Sequence, residues 1–224
     1  MKIALQAITS GVVGLVVFGA LVFWPAGTFD YWQGWAFIAV FAASTTIPSL
    51  YLAAKNPAAL KRRMQAGPAA ETRLLQKVII SIAFLSLGAM IVVSALDFRL
   101  GWSSVPAAVA VLGDVLVAAG LGIAMLVVIQ NSYAAANVKV ESGQELVSTG
   151  FYRLVRHPMY FGNVIMMVGA PLALGSYWGL AFVLPGLAVL AVRIRDEEQV
   201  LGQELAGYRE YMQKVHYRLV PGVW

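Results

Sequence analysis

Apolar residues fill long blocks of this chain, and polar ones gather in the gaps. Six blocks approach the roughly 20 apolar residues that cross a bilayer's hydrocarbon core. They run near 7–24, 33–54, 76–96, 105–129, 159–175 and 177–194. Blocks of that length predict helices, because a helix satisfies its own backbone groups where no water is present. The last two are short and are parted only by Gly175 and Ser176, which predicts a tight helical hairpin, tilted or incompletely spanning. The first block sits where a secretory leader would. Its apolar run is long, however, no A-x-A site follows, and Trp24 and Trp32 flank the next loop as interfacial anchors do. It is read as a true span. The expected architecture is an all-α integral membrane protein of about six transmembrane helices.

Composition agrees. Of 224 residues, 60% are hydrophobic and 12% charged, about half the charged share of a soluble domain. The absence of cysteine excludes disulfides, thiol catalysis and cysteine-held metal. Two histidines, His157 and His216, are a thin supply for a metal site, so none is expected. The net charge of +5 would matter for nucleic acid only if it were concentrated. Instead, of the 16 lysines and arginines, all but Arg99 fall beside one set of block ends. The positive-inside rule then puts both termini and the two long loops in the cytoplasm. The brevity of the chain fits a bacterial inner-membrane protein. Residues 55–73, basic with interspersed Ala, Leu and Met, read either as a short helix on the anionic inner surface or as a solvated loop.

Polarity divides the chain into residues 1–130, four spans with Asp114 the one ionisable group well inside them, and residues 131–224, where polar residues are dense. Asp114 is read as lying near the outer interface or pairing internally, rather than as a functional acid. Three clusters in the second part could carry chemistry. Residues 137–152, NVKVESGQELVSTGFY, combine a strand-like alternation with turn residues and predict a cytoplasmic loop rich in backbone donors. In RHPMYFG, Pro158 can open a helix, whose free N–H groups would favour an anion, with Arg156 and His157 adding donors. In RIRDEEQVL, Arg193 and Glu197 share a helix face at the end of an apolar span, with Asp196 and Glu198 beside it. Donors for a carboxylate, an acid for an ammonium and tyrosine faces for a cation suit a zwitterionic head with a sulfonium, as in S-adenosyl-L-methionine. A phosphate head group would suit the same helix start.

The joint pattern GQELVSTGFYRLVRHPMYFG, then RIRDEEQVL and YREY after the hairpin, resembles the isoprenylcysteine carboxyl methyltransferase family of integral membrane enzymes. The resemblance covers about residues 130–224. The piece R-H-P-x-Y alone is shared with phospholipid methyltransferases and, more loosely, with membrane sterol reductases. The resemblance implies a cofactor site for S-adenosyl-L-methionine under the cytoplasmic loop and C-terminal helix, with a lipophilic or prenylated substrate entering from the bilayer. It implies that Gln144, Glu145, Leu146 and Val147 line the cofactor pocket and that Tyr152, His157, Pro158, Met159 and Tyr160 continue it. Glu197 would hold the cofactor's amino group, Arg193 the carboxylate being methylated, and Asn137 would fall near a further cofactor contact. Gln144 stands where eukaryotic members often have His, and Leu205–Ala206 replace a common Phe-Gly. A carboxylate is ionised at neutral pH, so its methylation needs alignment and dryness rather than a base. Two other readings remain open: methylation of an amine, as in phosphatidylethanolamine, and a small non-enzymatic membrane transporter.

Overall fold

The computed structural model describes residues 2–65, 67–134 and 140–224, with the backbone alone for residues 2–8 and 10. The described chain forms α1 (Lys2–Ala26), α2 (Trp32–Lys55), α3 (Pro57–Met64), α4 (Leu74–Leu100), α5 (Ala107–Gln130), α6 (Pro158–Ala173), α7 (Val183–Glu204) and α8 (Tyr208–Lys214). Short 3-10 turns precede α4, α6 and α7, and no strand occurs among the described residues. The strand-like VKVES run lies partly outside the described residues; its described part, 140–142, is irregular.

Four segments are long and apolar enough to cross a membrane: Trp32–Lys55, Leu74–Leu100, Ala107–Gln130 and Trp178–Glu204. Pro158–Ala173 is a shorter apolar helix, and the Gly11–Ala26 part of the 25-residue α1 is apolar as well. The 16 residues of α6 rise about 24 Å, short of a hydrocarbon core of about 30 Å. The expected hairpin therefore pairs one short arm with one long one. Outward side chains are apolar throughout, for example Val16, Phe84, Leu85 and Leu184, each more than half exposed. So wide an apolar surface suits lipid, not water. Trp24, Trp32, Trp35, Trp102 and Trp178 lie exposed at the end opposite the basic residues, as an interfacial aromatic belt does.

The tightest packing joins α5 to α6. Gly113 and Gly120 on α5 meet Gly169 and Gly162 on α6, a seven-residue spacing on both helices. A Cβ on Gly120 would lie 2.4 Å from the Gly162 carbonyl oxygen, and one on Gly162 would lie 2.5 Å from that of Gly120. A Cβ on Gly113 would come 2.2 Å from the Ala173 nitrogen. Backbone thus touches backbone along the whole crossing. In lipid, where apolar surface gains little by leaving the solvent, such small-residue seams supply helix association.

The far end is held by polar bonds. Asp97 is fully buried and accepts from the Ser103 amide at 2.6 Å, the Ser103 hydroxyl at 2.7 Å and the Ser176 hydroxyl. The Tyr31 hydroxyl donates to the Leu174 carbonyl. These bonds tie α4 and α2 to the turn of the hairpin. Asp114 lies seven residues into α5, about 10 Å from its start. It is buried, and its Oδ1 has no hydrogen-bond partner, so the expected internal pairing of that oxygen is not found.

At the basic end the 55–73 segment does form a helix. Asn56 caps α3 by accepting from the Ala59 amide at 3.1 Å, and Pro57 occupies the first turn. Ala59 and Leu60 pack on Leu52 and Val128. Two of its cations turn toward the protein: Arg62 pairs with Glu141, and Arg63 reaches Met159.

Replacing Gly120 or Gly162 by Leu is expected to cost about 1–3 kcal/mol or more, as overpacking does, and to lower the thermal midpoint in detergent. Gly122→Leu, where an added Cβ meets nothing within 4 Å, is expected to leave it unchanged. Tryptophan-fluorescence melts of the three variants check this.

Candidate functional site

The start of α6 organises the basic end. His157 is its N-cap and Pro158 its first residue, as the sequence predicts. The chain after α8 runs beneath this point: the Arg156 amide donates to the Tyr217 carbonyl and the His157 amide to that of Arg218, both at 2.9 Å. The Tyr160 and Phe161 amides bond the His157 carbonyl. These four N–H groups are therefore committed within the protein, which leaves fewer free donors at the helix start than the sequence suggests.

Glu198 anchors the arrangement. It is buried, yet it accepts from Arg156 Nε at 2.6 Å and Arg218 Nε at 2.8 Å, and lies 3.3 Å from His157 Nε2. Arg156 also donates to the Val215 and His216 carbonyls. A carboxylate so placed avoids the large cost of an unpaired buried charge. The result fastens α7, the start of α6 and the C-terminal segment to one another.

A polar cleft opens above this anchor. Gln144, Glu145, Leu146, Val147, Tyr152, His157, Pro158, Met159, Tyr160 and Glu197 line it. The structure thus brings together every sequence-predicted cofactor residue except Asn137, which lies outside the described residues. The cleft holds about 90 Å³. Sequence reasoning missed several walls: Asn131 and Tyr133 after α5, Leu201 and Leu205, and Tyr208 and Tyr211 of α8. The YREY element was a signal for the last two, but nothing local shows that α8 packs against Leu146 and Tyr152. Burial pushes the Tyr152 phenol up to about 12 and raises Tyr208 and Tyr211 as well. All three stay neutral at ordinary pH and offer ring faces and hydroxyls. Among the described residues the buried Tyr208 hydroxyl has no hydrogen-bond partner at the cleft wall, a demand that a polar ligand can satisfy. A carboxylate, an unmatched hydroxyl and several ring faces form a donor set that fits a ligand carrying an ammonium and a second positive centre.

Beneath the cleft lies a second, apolar cavity of about 290 Å³ between α4, α6 and α7. Ile79, Phe84, Leu87, Met90, Met166 and Leu190 are among its walls. Met159 and Tyr160 belong to both spaces. At this junction the Tyr160 hydroxyl donates to Glu197 Oε2 at 2.7 Å and accepts from Arg193 Nε at 2.9 Å. Its ring lies nearly parallel to that of His157, at 5.6 Å and 18°. Arg193 and Glu197 share a face as the sequence predicts, and the phenol links them.

Arg193 is buried and already balanced. Its Nη1 donates to Glu71 Oε1 at 3.0 Å and to Gln76 Oε1 at 2.6 Å. Gln76 and Arg73 in turn bind Asp196. Glu71 and Gln76 escape sequence reasoning because they lie more than a hundred residues from Arg193. The sole hint is that Glu71 is the one acid in the basic stretch 55–77.

Residues 108–206 match the family model for phospholipid methyltransferase. That match takes in less than half of the chain, and over it the chain is similar to membrane methyltransferases. The probable protein-S-isoprenylcysteine O-methyltransferases of Oryza sativa subsp. indica and subsp. japonica are each 38% identical over 84 residues, covering 35% of this chain and 42% of the relative. A Delta(14)-sterol reductase of Mus musculus is 33% identical over 90 residues, covering 39% of this chain and 22% of the relative. The chain spans less than half the length of the curated relatives it matches. Both likenesses agree with the resemblance read from the motifs.

The loop that roofs the cleft is pinned by Arg62, which grips Glu141 through Nε at 3.0 Å and Nη2 at 2.9 Å and lies 4.6 Å over the Tyr133 ring. A partly exposed pair of this kind holds by about 1 kcal/mol, or roughly fivefold in a local opening equilibrium. Arg62→Ala is expected to speed glutamyl-endopeptidase cleavage at Glu145 by about that factor at low protease, where cleavage follows the open population.

Proposed function

We propose that this protein transfers a methyl group from S-adenosyl-L-methionine to a lipophilic acceptor drawn from the bilayer, with a carboxylate as the favoured methyl-accepting group. The observation that carries this reading is the junction. A polar cleft and an apolar cavity share Met159 and Tyr160, and the Tyr160 phenol joins the acid of one to the arginine of the other.

In this reading Glu197 receives the cofactor's ammonium, and Tyr152, Tyr208 and Tyr211 supply neutral walls. Held there, the cofactor would supply a sulfonium methyl for transfer to an ionised acceptor oxygen, leaving a neutral thioether, with no proton for these residues to move. Arg193 and Tyr160 orient the acceptor where the spaces meet. The apolar cavity and the roof loop would exclude water, which would otherwise solvate the attacking oxygen. The cleft's 90 Å³ is below the roughly 300 Å³ of a small-molecule pocket, so loading requires the Arg62-pinned loop to lift. Both termini and the basic end would face the cytoplasm under the positive-inside rule.

The family match to phospholipid methyltransferases supports a second reading, an amine acceptor. That amine must be neutral to attack and must then shed a proton, so this chemistry would show a pH dependence that the carboxylate reaction lacks.

Calorimetric titration with S-adenosylhomocysteine in detergent tests the cleft. Glu197→Ala is expected to weaken binding about tenfold to a hundredfold, the worth of a charged hydrogen bond; equal affinity in both proteins would remove that role. Arg193→Lys keeps a counter-charge for Glu71 but loses the planar fork. It is expected to bind the cofactor product normally while its turnover with a prenylated cysteine falls by at least tenfold. Initial rates with that acceptor and with phosphatidylethanolamine separate the two readings.

A further inference from the structure

Two arginines line the apolar cavity, and their surroundings differ. Arg193 faces Glu71, Gln76 and the Tyr160 phenol. Arg63 comes from α3 and stands at the same end of the cavity, where its Nη1 donates to the Met159 sulfur at 3.2 Å. A thioether is a weak acceptor and carries no charge. Among the described residues no carboxylate pairs with Arg63, whereas Arg62 beside it is held by Glu141. Burial alone acts on the Arg63 guanidinium and pulls its pKa down, with no acid to offset it. A cation at the wall of an apolar cavity without a counter-ion is costly unless a ligand supplies one. A solvated surface helix gives no reason to direct this side chain inward, since Lys55 and Lys61 of the same stretch stay exposed.

The geometry points to Arg63 as the residue that recognises the acceptor's anionic group, so that the cavity takes an amphiphile with an apolar chain and a single negative charge at its basic end. The inference rests on the methyltransferase reading above and deepens it. Glu71 already neutralises Arg193, so an arriving anion gains most from Arg63, while Arg193 and Tyr160 aim the acceptor at the junction. Met159 is where this becomes consequential: Arg63 touches the residue that walls both spaces, so the anion it holds lies beside the cleft. A carboxylate fits, and so does a phosphodiester. The two differ in outcome. Methylation of a carboxylate yields a neutral ester, which Arg63 no longer attracts and which partitions back into lipid. A phosphodiester keeps its charge when a neighbouring amine is methylated.

Binding of an S-farnesylated N-acylcysteine, its methyl ester and phosphatidylethanolamine, measured in detergent without turnover, tests the proposal. Wild type, Arg63→Gln and Arg63→Lys are compared, with S-adenosylhomocysteine affinity alongside. The free acid is expected to bind wild type about tenfold to a hundredfold more tightly than the ester. That ratio is expected to collapse toward one in Arg63→Gln and to recover largely in Arg63→Lys, with S-adenosylhomocysteine affinity unchanged. If phosphatidylethanolamine instead shows the Arg63 dependence, the same site stands with a phosphodiester as its anion. An acid-to-ester ratio that survives Arg63→Gln overturns the proposal, as does failure of both anionic probes to bind a wild type that binds S-adenosylhomocysteine. A wild type that discriminates acid from ester through Arg63 but binds no S-adenosylhomocysteine upholds the anion site and sinks the methyltransferase reading.

Discussion

The architecture depends on the backbone-to-backbone approach of α5 and α6. Four glycines, two on each helix, remove the side chains that would hold the axes apart. Because lipid offers little hydrophobic drive for helices to associate, that contact carries much of the cohesion at the centre of the protein. It also sets where α6 begins. With Gly162 seated against Gly120, Pro158 and His157 emerge at a fixed height, and the C-terminal segment and the roof loop assemble around them. A short α6 can tolerate its incomplete span because its buried face is bonded to α5 along its length.

Charge is handled in two ways at the basic end. Glu198, Asp196 and Glu71 sit in closed networks in which each buried carboxylate meets one or more cationic or amide partners. Such networks fasten helices together and fix directions more than they add net stability. The groups at the meeting of the two spaces are tuned differently. Glu197 is bonded by a phenol rather than by an arginine, which leaves its charge available to a ligand. The Tyr160 hydroxyl, donating one way and accepting the other, keeps Arg193 and Glu197 apart as charges while holding them in one register. A direct pair would have quenched Glu197, while Arg193 already has Glu71 as its counter-charge.

The roof over the cleft follows a third principle, that of a weak clasp. The Arg62–Glu141 pair is partly exposed, so it orders the 140–149 loop without locking it. This also explains why the basic stretch 55–73 reads ambiguously. Its cations look like membrane-surface charges in sequence, yet two of the three in α3 serve the interior.

The sequence by itself determined the membrane-spanning class, the helix start at Pro158, the shared face of Arg193 and Glu197, and most of the cleft's lining. The first three rest on local physics, namely apolar run length, the geometry of proline and helical periodicity within one motif, whereas the cleft's lining followed from the resemblance of its motifs to a methyltransferase family. Only the tertiary structure decided what those residues touch. The glycine seam, the Glu71 and Gln76 clamp on Arg193, the commitment of the Arg156 and His157 amides to the C-terminal segment, and the inward turn of Arg63 each join stretches tens to more than a hundred residues apart. No periodicity encodes such pairings, because the chain's local preferences are indifferent to which distant helix will arrive. The partition of charge between balanced and unbalanced arginines is therefore a property of the packed molecule. It separates two residues that look equally basic in sequence.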